Sequence, residues 1–121
     1  MNPGSLIWIA LGGALGSVLR AMVSAGMPPG RLPWGTLLVN VVGSCLIGWL
    51  MAKVAPLPSE HWRSHSFLVV GFCGGFTTFS TFSWQTFEQM QKGNWGAVLL
   101  NVLLSVGLCL LATWAGWRLA R

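Results

Sequence analysis

The sequence predicts an all-α integral membrane protein with four transmembrane helices per subunit, the third broken near its middle. Three observations predict it. Of 121 residues, 54% are hydrophobic and only 7% are charged, whereas a soluble domain carries about a quarter charged residues. The apolar residues fall into four runs, each able to supply the roughly 20 residues that a spanning helix needs. Turn-forming or polar clusters separate the runs. Four such helices use most of the chain, so residues 1–121 form one membrane domain with no separate soluble one.

The first span is expected over Ser5 to Ala25, stopping at Gly26-Met27-Pro28-Pro29-Gly30. No basic segment precedes Leu6, so this run is read as a retained helix rather than a cleaved leader. The second is expected from Trp34, just after Pro33, to about Val54, before Pro56 and Pro58. Ser59 to His65 makes the one strongly polar loop. The third runs from about Ser66 to Gln91, and Lys92-Gly93-Asn94 turns the chain into the fourth, Trp95 to Leu119. Small residues at four-residue spacing (Gly12 and Gly16, Gly13 and Ser17, Ser44 and Gly48) predict close helix contacts.

The third span is anomalous. Its 26 residues would make a helix of about 39 Å against a hydrocarbon core of about 30 Å. Within it Gly71 to Phe82 reads GFCGGFTTFSTF, which combines weak helix formers, hydroxyls and phenyl rings at bilayer depth. The glycines place the interruption at Gly74 to Thr77, with a polar second half facing water. Interrupted backbone is tolerated in a membrane only where protein or a cavity covers it. The segment is therefore expected to line a permeation path.

The net charge of +5 does not indicate nucleic acid. Arg20, Arg31, Lys53, Arg63, Lys92, Arg118 and Arg121 are scattered near the ends of apolar runs, as interfacial anchors are. Four spans put Lys53, Arg63, Arg118 and Arg121 on one side and Arg20, Arg31 and Lys92 on the other. So small a bias predicts insertion in both orientations and antiparallel pairing of two copies. Cys45, Cys73 and Cys109 lie far apart without metal-ligand spacing and read as packing residues. No catalytic constellation is present, so no enzyme is expected.

Several side chains carry two readings. Asn40 at mid-span either bridges helices or offers its NH₂ to a passing anion. Asn101, Ser105, Cys109 and Thr113 recur every four residues, either as a helix contact or as a track for an ion. Arg20 either snorkels to headgroups or forms a cationic vestibule. Glu88 is the one acidic residue within a span, and serves solvation or proton coupling. Phe76, Phe79 and Phe82 form an i, i+3, i+6 row bordered by Thr77, Thr78, Ser80 and Thr81. A phenyl ring has a positive edge, so rings presented edge-on can stabilise a small anion without the full cation that would hold it back.

With these residues on the page, the chain resembles the Fluc (CrcB) fluoride channels of bacteria along essentially its whole length. The resemblance is carried by GGALGSVLR in the first span, WGTLLVNVVGSCLIG in the second and GFCGGFTTFSTF in the third. It implies an antiparallel dual-topology homodimer in the bacterial inner (plasma) membrane, with two pores that let cytoplasmic fluoride leave passively. By resemblance Phe79 and Phe82 match the phenylalanine box, Asn40 the pore asparagine and Arg20 the vestibule arginine. Ser80 and Thr81 fall among the hydroxyls beside the box, and Asn101, Ser105 and Cys109 on the polar track. The backbone carbonyls of Gly74 and Thr77 are implied to hold a structural sodium ion (Na+). Gln85 stands where the family often has glutamate. The rival class, proton-coupled exporters resembling small multidrug resistance proteins, needs a glutamate in the first helix. The first acidic residue here is Glu60, in a loop. A purely structural membrane subunit would leave the Asn40 and phenylalanine arrangement unexplained.

Overall fold

The computed structural model describes residues 2–54 and 59–121. They are helical, with no strand among the described residues. Helix α1 spans Ser5–Ala25 and α2 spans Trp34–Val54. After a single 3₁₀ turn at Ser59–His61, α3 covers 62–76, α4 covers Phe79–Gln91 and α5 covers Trp95–Leu119. Among the described residues four stretches are long and apolar enough to cross a membrane, with α3 and α4 together making the third, Trp62–Gln91. The third span thus starts four residues before the expected Ser66. Pro56 and Pro58, read above as the stop of the second span, lie outside the described residues.

The outer faces are what lipid requires. Ile7, Leu11, Leu15, Val18 and Met22 form one exposed stripe on α1, and Leu99, Leu103 and Trp114 are exposed on α5. Inside, packing relies on backbone contact more than on large side chains. A Cβ at Gly12 would meet the backbone of Phe67 and Phe72, and one at Gly16 the backbone of Phe72 and Phe76. From the other side, Gly71 faces the Ile9 carbonyl and Gly75 the Gly13 carbonyl. Glycines on both helices therefore let α1 and α3 touch backbone to backbone, the small-residue route to association in lipid.

The α2–α5 contact works the same way. Gly48 abuts the Thr113 carbonyl, and Gly116 abuts the Cys45 carbonyl. Gly116→Ala should therefore push α2 and α5 apart, costing about 1–3 kcal/mol as overpacking does. Gly107→Ala, which adds its methyl to open space, should be tolerated. Thermal unfolding in detergent checks the pair, and equal midpoints for both variants would contradict the contact.

The break in the third span falls near its middle as expected, at the far edge of the Gly74 to Thr77 stretch, and extends one residue beyond it to Thr78. Between Trp62–Ser64 and Gly74–Phe76, which are α-helical, residues His65–Cys73 wind as a π-helix with i→i+5 bonding. The backbone leaves the helix only at Thr77 (φ −89°, ψ 160°) and Thr78 (φ −154°, ψ 115°). Both conformations lie in the extended region, which β-branched residues favour and which needs no glycine. Gly71 and Gly75 serve close approach to α1, Gly74 faces open space, and the threonines make the break.

The remaining punctuation follows ordinary capping. Thr78 is the N-cap of α4, its hydroxyl accepting from the Thr81 N–H at 3.2 Å. Gly93 at φ 73° turns α4 into α5. Across that turn the Asn94 N–H donates to the Gln89 carbonyl at 2.9 Å and the Asn94 amide to Gln89 Oε1 at 2.8 Å.

Candidate ion pathway

A break in a helix strands backbone groups, and in a membrane each needs a partner. Here three helices supply them. Asn40 on α2 takes both polar groups of Thr78: the Thr78 N–H donates to Asn40 Oδ1 at 2.7 Å, and Asn40 Nδ2 donates to the Thr78 carbonyl at 3.0 Å. Arg20 on α1 donates from Nη1 to the Thr77 carbonyl at 3.1 Å. Within the third span itself, the Thr77 N–H and hydroxyl both donate to the Cys73 carbonyl, at 3.1 and 2.8 Å. The Ser17 hydroxyl lies 3.4 Å from the Gly75 carbonyl.

The clamped break opens onto a groove of about 470 Å³. Its lining includes Asn40, Ser44, Gly74, Thr77, Thr78, Phe79, Phe82, Ser105 and Cys109. Phe79 is 77% exposed. Its centroid lies 5.4 Å from that of Phe82, with the rings inclined by 44°. Asn40 makes a single hydrogen bond through Nδ2, so its second N–H is available to the groove.

The phenylalanine row does not survive folding. Phe76 is buried and stacks on Phe72 with centroids 5.7 Å apart. The extended residues Thr77 and Thr78 reset the helical phase, so Phe79 and Phe82 face the groove while Phe76 faces the core.

The polar stripe of the fourth span also divides. Asn101 is 3% exposed and donates to Thr86 Oγ1 at 3.0 Å, while Thr86 donates to the Phe82 carbonyl at 2.7 Å. The Ser105 hydroxyl lies 3.3 Å from Asn101 Oδ1 and also lines the groove. Asn101 thus ties α5 to α4 behind the path, and Ser105 and Cys109 face it. Thr113 bonds its own helix, at the Cys109 carbonyl.

Thr81 leads elsewhere. Its hydroxyl accepts from Thr78 Oγ1 at 3.0 Å, and the exposed Ser80 hydroxyl lies 3.4 Å from the same atom. Thr81 then lines a second, polar cleft of about 360 Å³ with Thr36, Gln85, Glu88, Arg31 and Lys92. A short run of hydroxyls thereby connects cleft and groove along α4. The expected water-facing second half is therefore mixed: Gln85, Glu88 and Gln89 line the cleft, but Thr86 is buried. Arg20 lines neither cavity and is turned inward onto the break.

Thr78 and Thr86 are the members that sequence reasoning did not single out. In the sequence Thr78 is one hydroxyl among several, and nothing marks it as the residue whose backbone Asn40 grips. Among the described residues no group of histidine, cysteine or acidic side chains is arranged to hold a metal.

Comparison with known proteins agrees with this architecture. The family model described as "CrcB-like protein, Camphor Resistance (CrcB)" matches residues 7–117. The protein named fluoride-specific ion channel FluC of Geobacter sulfurreducens is 48% identical over 122 residues, covering 97% of each chain. That of Paramagnetospirillum magneticum is 50% identical, covering 89% of this chain and 88% of its own. That of Opitutus terrae is 46% identical, covering 91% and 87%. Matched along nearly all of its length, this four-span membrane protein belongs to the CrcB family, the family of the fluoride-specific ion channels FluC.

Proposed function

We propose that the chain is a fluoride-selective channel through which cytoplasmic fluoride leaves a bacterial cell passively across the inner membrane. The observation that carries the reading is the exposed Phe79–Phe82 pair beside a break whose free donor is the second N–H of Asn40. Ring edges and one amide donor attract a small anion weakly enough to release it. A negative-inside potential favours anion exit by about 2.3 kcal/mol per charge at 100 mV. No coupled ion is then needed.

A second copy completes the pathway. The groove presents Asn40, Thr78 and Ser105 at bilayer depth, where lipid chains offer polar groups nothing. A homodimer covers it, and the near-equal basic charge on the two sides favours the antiparallel arrangement. Two grooves then give two pores. Ions are proposed to move between cleft and groove past Thr81, Ser80 and Thr78, with Ser105 opposite and Asn101 holding Ser105 in place.

The break also fits the sodium that the family implies. Thr78 gives its N–H to Asn40 rather than back to Gly74, which leaves the Gly74 carbonyl available in an exposed position. Thr77's carbonyl keeps one lone pair beyond Arg20. These two oxygens would hold the ion, which would supply positive charge to the carbonyl dipoles that the break exposes.

Proteoliposomes loaded with fluoride or chloride test the function. Valinomycin-released efflux, read by ion electrode, should be fast for fluoride and at the level of empty liposomes for chloride. Equal rates for the two anions, or none for fluoride, would overturn the reading.

A further inference from the structure

We propose that Asn101 and Thr86, two buried residues behind the groove, set how firmly the pathway holds an anion by deciding where the Ser105 hydroxyl proton points. The inference deepens the fluoride-channel reading and rests on it. Ser105 and Phe82 line the groove, whereas Asn101 and Thr86 line neither groove nor cleft. Asn101, Thr86 and Ser105 are 3%, 6% and 9% exposed, which leaves each to find its partners within the protein. They form one chain of bonds from α5 to α4. Ser105 donates to Asn101 Oδ1 at 3.3 Å, Asn101 Nδ2 donates to Thr86 Oγ1 at 3.0 Å, and Thr86 donates to the Phe82 carbonyl at 2.7 Å.

The direction of this chain follows from counting protons. A hydroxyl has a single proton to donate. Thr86 gives its proton to the Phe82 carbonyl, in the shortest bond of the chain, so toward Asn101 it can only accept. The Asn101 amide must then turn its NH₂ to Thr86 and its oxygen to Ser105. Ser105 gives its own proton to that oxygen, and only its lone pairs remain for the groove. At rest the hydroxyl therefore offers an anion no donor. An anion recruits the proton by breaking the bond to Asn101 Oδ1, the longest and weakest of the chain. That leaves a buried acceptor unpaired, which costs free energy, and the bond re-forms when the ion moves on. The donation to the ion is weakened by that competition, as conduction requires of a site that must also release. A hydroxyl with no such acceptor would detain the ion. Ser105 touches the anion; Asn101 and Thr86 are positioning residues.

Current through planar bilayers, recorded against fluoride concentration, tests the inference on the full-length protein, Asn101→Leu, Ser105→Ala and the double variant. Leucine is close to asparagine in shape but gives Ser105 no side-chain acceptor. Asn101→Leu should lower the half-saturating fluoride concentration and the maximal current by about threefold each, because the ion is held longer. In the Ser105→Ala background the same substitution should leave both within about 1.5-fold, since the coupling runs through the missing hydroxyl. A shift that persists without Ser105 is a packing effect and would overturn the inference, as would no shift in Asn101→Leu itself. If the leucine variant does not assemble, the wild-type protein still decides. With isotope-labelled asparagine, fluoride should move the Asn101 side-chain amide resonance in wild type, although the ion does not touch it, and leave it in place in Ser105→Ala. A wild-type resonance that fluoride does not move would overturn the inference. All of these results leave the channel reading standing, whereas no fluoride current in wild type would overturn both.

Discussion

Phe79→Ile and Phe82→Ile are each expected to reduce fluoride efflux at least a hundredfold, equivalent to about 2.7 kcal/mol or more on the barrier. Isoleucine fills similar space and is equally at home near lipid, so the helix should still form. What it lacks is the positive ring edge. Phe79 is the sharper test because its ring is 77% exposed and makes little of the core. Its removal should not move the unfolding midpoint or the elution volume in detergent. Phe82 also contacts Phe79, so a small loss of stability is acceptable there. Wild-type-like flux in both variants would sink the assignment of these rings to the ion path.

Asn40→Ala is expected to be the most damaging polar substitution. It removes both partners of Thr78 at once, leaving an N–H and a C=O inside the bilayer. Each stranded group costs about 1–3 kcal/mol. The break should loosen, lowering the thermal midpoint and abolishing flux together. Asn40→Asp separates the two effects. Its carboxylate can still accept from the Thr78 N–H, which keeps part of the clamp, but it places negative charge beside an anion path. Flux should be lost with less loss of stability than in the alanine variant. An alanine variant with an unchanged midpoint would show that the Thr78 bonds carry no weight.

Much of this was legible in the residues because hydropathy and turn chemistry are local. The bounds of α1, α2 and α5, and the Lys92-Gly93-Asn94 turn, follow from apolar length and from Pro, Gly and Asn placement. That the third span must be interrupted was readable from its length and its hydroxyls. Its place, near mid-span and reaching Thr77, was readable too, but which residues of the motif take the extended conformation was not. Glycine has two uses, loosening backbone and admitting a neighbour, and a sequence does not say which. Gly71 and Gly75 turned out to admit α1, and the extended conformation went to Thr77 and Thr78.

The same limit governs the side chains. The spacing of Phe76, Phe79 and Phe82 assumes one continuous helix, and two extended residues between them invalidate it. Asn40 was read as either a helix bridge or an anion donor. Its geometry accommodates both, one N–H on Thr78 and one left for the groove. Arg20 was placed near the interface by its position in α1, yet its long side chain reaches a carbonyl that becomes free only when the helix opens.

The sequence by itself determined a four-span membrane bundle, the presence of a defect in its third span, and the chemical vocabulary gathered there. Tertiary structure alone decided which backbone groups the defect frees and which side chains answer them. The reason is physical: spans follow from transfer energies summed along the chain, whereas stranded N–H and C=O groups take whatever partners neighbouring helices bring within 3 Å or so. Helices α1 and α2 bring Arg20 and Asn40, from parts of the chain 57 and 38 residues away.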